Sequence, residues 1–203
     1  LLGCAAAAVL LIAALPLQNA LTVTTDHATG SVLVQKNGES FLLCGVQDGY
    51  SINALNRFLQ RCGNPRITIL AQPAEQHNLS AELRLAQLLE PKILLCDEET
   101  ALLGEGQYPE TVELLPYRDT IRNILSDYTL YELDGVGTML QFGTQKVLKC
   151  WTGYDIITAE DIPDDVTAVI DRTGNLWLRP DCGWRLYQSG NLTITLPKED
   201  SAL

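Results

Sequence analysis

Histidine is nearly missing from this 203-residue chain: His27 and His77 are the only two. Dinuclear zinc hydrolases draw their ligands from imidazole and carboxylate groups, so a histidine-rich metal centre cannot be built here. Cysteine does not make up the shortfall. The six cysteines stand at 4, 44, 62, 96, 150 and 182, and none are spaced as CxxC or Cx2–4C. That excludes a zinc ribbon and a dithiol redox motif. Basic residues are scarce as well, 14 Lys and Arg against 25 Asp and Glu, leaving a formal charge of −11. Such a chain is repelled by phosphate backbones, and strong direct nucleic-acid binding is not expected. A phosphate-cradling GxxxxGK[ST] loop is also absent.

What is present suits a folded domain. Hydrophobic residues make up 46% of the chain, enough to exclude intrinsic disorder, and the length fits one domain with a short appendage. Residues 1–17 (LLGCAAAAVLLIAALPL) carry no charge and sit at the lower edge of what spans a bilayer. The chain opens on Leu1 rather than Met, so it reads as a piece of a longer product whose apolar run continues upstream. Residues 1–20 are therefore expected to be the end of a transmembrane helix. A signal peptide would want a basic n-region, which is missing, and a buried core helix is the third reading. The first basic residue beyond the run is Lys36, which places this flank outside the cytoplasm.

Beyond residue 20 the pattern alternates between strands and helices. Residues 21–25 read as a strand. Residues 31–35 and 41–44 flank Asn37-Gly38, a tight-turn pair that predicts an antiparallel hairpin. A helix is expected from Ser51 to Cys62, capped by Ser51 and ended by Gly63. Residues 67–71, a helix from Ser80 to Glu90 capped by Ser80, and residues 92–96 make a parallel βαβ unit. The remainder is mostly strands: 128–133, 138–142 and 147–151 as a meander, then 166–170, 176–178 and 192–196. Cys44, Cys96 and Cys150 read as buried small hydrophobes, with one disulfide possible in an oxidising compartment. The whole describes a mixed α/β sandwich.

The order of these segments resembles the C-terminal metallo-β-lactamase-like domain of ComEC-type DNA-uptake proteins of bacterial competence. In that family the entry strand ends in L-D-V-G-Q-G-D; here Thr25-Asp26-His27-Ala28-Thr29-Gly30-Ser31 stands in its place. L-I-D-G-G corresponds to Leu42-Leu43-Cys44-Gly45-Val46. The metal-binding run H-x-H-x-D-H falls on Gln72-Pro73-Ala74-Glu75-Gln76-His77, so Gln72, Ala74, Gln76 and His77 are vestigial metal-motif positions. No Asp matches the family's bridging ligand between Val147 and Gly153. H-H-G-S is either replaced by Ile170-Asp171-Arg172-Thr173-Gly174 or deleted.

The resemblance implies a truncated metallo-β-lactamase-like αββα sandwich over residues 21–203, preceded by the membrane helix end. It implies a bacterial cell-membrane protein, its soluble part extracytoplasmic, with DNA or other competence proteins as partners through the parent channel. Ala74 donates nothing and the amides of Gln72 and Gln76 are weak neutral ligands, so no metal, no cofactor and no catalytic residue are expected. A hydrolase with a rearranged metal site and an unrelated membrane-anchored binding module are the alternatives. His77 reads either as a vestigial ligand or as a polar loop residue. Neither an Asp26–His27 dyad nor a Cys44 or Ser31 nucleophile with His77 has motif support. Trp151, Trp177, Trp184 and Tyr187 form either a base-stacking surface or, as is commoner, strand–strand packing.

Overall fold

The computed structural model describes residues 21–36, 38–46, 48–72, 78–96, 98–103, 106–116, 121–122, 128–133, 137–142, 145–151, 162–166, 168–178, 185–188 and 192–196. The expected membrane helix end over residues 1–20 lies outside these. Among the described residues no helix is long and apolar enough to cross a membrane.

The first sheet grows from strands that are apolar on both faces. In β2 (Val32–Lys36) and β3 (Glu39–Leu43), Val32, Val34, Phe41 and Leu43 enter one core while Leu33 and Leu42 enter another. A strand apolar on both sides has to be covered on both sides. The hairpin pairs antiparallel from Val32↔Leu43 to Lys36↔Glu39, as Asn37-Gly38 predicts. Around it lie β1 (Leu21–Thr25), β4 (Ile69–Ala71), β5 (Ile93–Cys96) and β6 (Glu113–Pro116). The last strand, β14 (Leu192–Leu196), returns to pair with β1, giving the order β14-β1-β2-β3-β4-β5-β6. The β3–β4, β4–β5 and β5–β6 pairs are parallel, in keeping with the βαβ reading.

The second sheet holds β7 (Ile121–Arg122), β8 (Tyr128–Leu133), β9 (Gly137–Phe142), β10 (Gln145–Cys150), β11 (Ala168–Ile170), β12 (Leu176–Leu178) and β13 (Arg185–Gln188). They are neighbours in sequence order, antiparallel except for the parallel β10–β11 pair. One core of buried residues takes Val23, Val34, Phe41, Leu43 and Ile69 from the first sheet. From the second it takes Leu140, Val147, Trp151, Ala168 and Ile170. The two sheets are therefore packed face to face, the mixed α/β sandwich expected from the pattern.

Two helices cover the outer face of the first sheet. Helix α1 (Gly49–Arg61) buries Ile52, Leu55, Phe58 and Leu59, and α2 (Leu79–Leu89) buries Ala81, Leu85 and Ala86. Both caps differ from the expectation. Asp48, not Ser51, caps α1: its Oδ1 accepts from the Ser51 N–H and hydroxyl, each at 2.7 Å. Asn78, not Ser80, caps α2, accepting from the Ala81 N–H at 3.1 Å. In each case a short acceptor lies three residues before an amide that needs one, which moves the helix start upstream of the serine. Asn78→Ala is expected to cost about 1 kcal/mol in thermal or urea unfolding, with no change in the slope of the urea transition.

Helix α3 (Glu98–Leu103) and strand β6 had no counterpart in the sequence reading. Both are short, and Pro116 at the end of β6 is tolerated because that strand is the sheet's edge. The outer face of the second sheet is covered by Ile162 and Val166 packed on Met139, Leu148, Cys150 and Val169.

Candidate functional site at one end of the sandwich

Register places the sequence-derived positions. Thr25 pairs with Val32, Val32 with Leu43, Leu43 with Ala71 and Ala71 with Leu95. The segments after β1, β3, β4 and β5 therefore emerge at a common end of the first sheet. At that end the 26–30 turn meets the 171–175 turn of the second sheet. The Thr25 hydroxyl donates to the Gly174 carbonyl at 3.1 Å, and His27 Nδ1 donates to the Thr173 carbonyl at 2.6 Å.

Of the vestigial metal-motif positions, Gln72 is described, while Ala74, Gln76 and His77 lie outside the described residues. Gln72 is buried, and its Nε2 donates to the Val46 carbonyl at 2.6 Å. Its Oε1 is buried with no hydrogen-bond partner among the described residues. Beside it, Cys44 receives the Val46 N–H, and Glu82 at the head of α2 accepts from the Tyr108 hydroxyl. Burial pushes the Cys44 thiol up to about 12, helped by the Glu82 charge and opposed by the Val46 N–H. A thiol so protonated is not a nucleophile near neutral pH. Ser31 is equally committed: it is fully buried, and its hydroxyl is hydrogen-bonded to the Thr29 Oγ1 at 2.8 Å.

A dinuclear metal centre does not fit these donors. Gln72 offers a single neutral oxygen with its amide nitrogen already engaged, and Ala74 has no donor atom at all. Among the described residues no three His, Cys, Asp or Glu come together in a way that could hold a metal ion.

Asp26 and His27 do not work as a pair. Asp26 is buried and ion-paired with Arg61 at 2.9 Å, its other oxygen accepting from the Thr29 N–H and hydroxyl. His27 is exposed and points to the second sheet through Thr173. Trp151 and Trp177 also part company. Trp151 lies in the core between the sheets, donating to Thr138 at 2.9 Å, whereas Trp177 packs on the outer cluster and donates to Asp171 at 3.0 Å. They do not make one stacking platform. Trp184 and the Tyr187 side chain lie outside what is described. Cys44, Cys62 and Cys150 form no disulfide.

The residue that sequence reading missed is Lys149. On β10 it alternates with Val147 and with Trp151 just past the strand's end, both of which enter the core between the sheets. Lys149 therefore points inward too, and it is completely buried. Its Nζ donates to the Asp171 carbonyl at 2.5 Å and the Arg172 carbonyl at 3.4 Å, and lies 4.6 Å from the centre of the Trp151 ring. Backbone from the first sheet closes over it. At Gly30, with φ +66°, an added Cβ would overlap the Arg172 carbonyl oxygen and stand 3.5 Å from Nζ. Only glycine admits so close an approach.

Asp171 organises the turn that Lys149 grips. Its carboxylate accepts from the Thr173 N–H and hydroxyl, the Asn175 N–H and side-chain amide, and Trp177 Nε1. Burial works to raise this carboxyl, but those donors outweigh it and hold it below the usual range. Its folded-state value being lowered, its contribution is full above the ordinary carboxylate range and is lost as pH falls through the lowered value. Asp171→Ala is expected to cost about 2 kcal/mol at neutral pH and less in acid below the lowered value, read by denaturant titration.

No protein-family model matches the chain, and no curated protein sequence matches it. Among solved structures it is similar to the metallo-β-lactamase fold protein YhfI of Bacillus subtilis, at 11% identity, over 67% of this chain and 65% of that one, with a TM-score of 0.45. It is also similar to a metallo-β-lactamase of Staphylococcus aureus, at 14% identity, over 82% of this chain and 60% of that one, TM-score 0.47. A third likeness is to the metallo-β-lactamase FIM-1 of Pseudomonas aeruginosa, in a mono-zinc form, at 11% identity over 73% and 77%, TM-score 0.47. The chain spans less than two thirds of the length of the first two.

Proposed function

We propose that this is a non-catalytic metallo-β-lactamase-like domain of a membrane protein of the ComEC type, with a structural or interaction role in DNA uptake. Gln72 carries the reading. At the first position of the metal-binding run a buried amide ties the end of β4 to Val46, which is the work of a strut. Ala74 and Gln76 supply neither carboxylate nor imidazole, and water activation between two ions requires such ligands. In this reading residues 1–17 sit in the bacterial cell membrane, the rest is extracytoplasmic, and DNA or other competence proteins are met through the parent channel.

The test is metal analysis of the purified chain after exposure to zinc and manganese, followed by dialysis. Less than stoichiometric metal and no phosphodiester hydrolysis are expected. Two tightly held equivalents with hydrolysis overturn the reading in favour of a hydrolase with a rearranged ligand set. Single-stranded DNA should not be retained at about 0.15 M salt, given the formal charge of −11. Tight binding there would contradict the inference from charge.

A further inference from the structure

We propose that β14 is the edge through which two copies of this chain pair: the two strands meet antiparallel about Ile194 and join two first sheets into one. Among the described residues, the edge strands are β14 and β6 in the first sheet and β13 and β7 in the second. An open edge is a template for another chain, and charge, proline or shortness is what closes it. Strand β6 carries Glu113 and Pro116. Strand β7 is two residues long and includes Arg122, and β13 includes Arg185. Strand β14 has none of these guards. It runs for five residues as Leu192-Thr193-Ile194-Thr195-Leu196, and among the described residues β1 alone is paired with it.

The sequence of the strand names its occupant, because it reads the same in both directions. A second copy turned about a twofold axis at Ile194 sets Leu192 against Leu196, Thr193 against Thr195 and Ile194 against its counterpart. A twofold contact requires such self-complementarity. Alternate residues share a face, so leucine and isoleucine meet on one side of the sheet and threonine meets threonine on the other, a favourable cross-strand pair. The edge already occupied follows the same pattern. Strand β1 sets Leu21 against Leu196, Thr22 against Thr195, Val23 against Ile194 and Thr24 against Thr193. A second β14 repeats that ladder on the open edge, with isoleucine in the place of Val23 and leucine in that of Thr25.

Charge does not oppose the contact. Two copies of formal charge −11 repel each other at a distance. From Gly190 to Pro197, however, the chain carries no charge, and that stretch spans the whole pairing. Pro197 has no N–H to donate, so it bounds the ladder just past Leu196.

The test is sedimentation equilibrium of the full chain in a density-matched mild detergent, chosen because residues 1–17 are apolar. The wild type is expected at twice the 22.3 kDa of one chain. Thr193→Lys combined with Thr195→Lys sets lysine against lysine at two points and should raise the dissociation constant about tenfold or more. Thr193→Glu combined with Thr195→Lys sets opposite charges face to face and should restore the dimer. A monomeric wild type overturns the proposal. So does a double-lysine variant that associates as tightly as the wild type, or a Glu/Lys variant no tighter than the double lysine. Should the variants not fold, hydrogen exchange on the wild type at high and low protein concentration decides. Alternate β14 amides face away from β1, and their protection is expected to rise about tenfold at the higher concentration. Protection that is absent at both concentrations, or equal at both because the same chain covers the edge, overturns the proposal.

Discussion

Gly137→Ala is expected to cost about 3 kcal/mol or more, lowering the melting temperature by about 10 °C in a chain of this size. Gly137 opens β9 and is paired directly with Cys150. A Cβ there would overlap the Lys149 carbonyl oxygen and stand 2.9 Å from the Cys150 Cα. Both obstacles are backbone atoms of a central strand, so no rotamer change relieves the clash, and the β9–β10 ladder must part. Gly38 is the control. It also has positive φ, at +80°, but nothing lies within 4 Å of a Cβ placed on it. Gly38→Ala should therefore cost only about 1 kcal/mol, the strain of the backbone alone. Equal losses at the two positions, measured by thermal unfolding, would refute the packing argument.

Lys149→Met should stabilise the protein at pH 6 and lose that advantage near pH 10. The amine stands at about 7 when folded, against an ordinary 10.5. Between those values the unfolded chain binds more protons than the folded one, so stability rises with pH over that window, by about 1.4 kcal/mol per unit at most. Below the window the folded state carries the whole burden of a buried ammonium, roughly 3–5 kcal/mol relative to the alkaline limit. Methionine has nearly the same length and no charge, so it removes that burden. It also leaves the Asp171 and Arg172 carbonyls without their donor, at about 1–3 kcal/mol. The difference between the two proteins should therefore shrink or change sign as pH rises, in urea titrations at several pH values. A constant difference would mean that Lys149 titrates alike in the folded and unfolded chains.

Much of this architecture was written locally in the chain. Asn37-Gly38 between apolar runs gave the β2–β3 hairpin, and the apolar runs around the Ser80 region gave the parallel β4–β5 pair. The meander of β8, β9 and β10 followed from its turn residues. What escaped was set by tertiary context. The parallel β10–β11 pairing joins segments whose affinity for each other has no local signature. The helix caps went to Asp48 and Asn78 because side-chain reach to the third amide outweighed the presence of a nearby serine. Lys149 was legible in principle. In Lys146-Val147-Leu148-Lys149-Cys150-Trp151, the residues alternating with Lys149 are Val147 and Trp151, and an inward valine and tryptophan put the lysine inward as well. It was passed over because an isolated lysine in an apolar strand is ordinarily an outward one. Of the candidate site, Gln72 is singled out by sequence order, whereas its bond to Val46 depends on how the loop after β3 folds back.

The pairing of β1 with β14 bears on how the molecule is made. Leu21 finds its partner Leu196 only after every other strand has been synthesised. Until then β1 offers a row of unsatisfied peptide groups to any passing extended segment, including its own copies on neighbouring ribosomes. Chains cut short before Leu192 should therefore be found in insoluble material, and supplying the missing strand as a separate peptide should return part of them to solution.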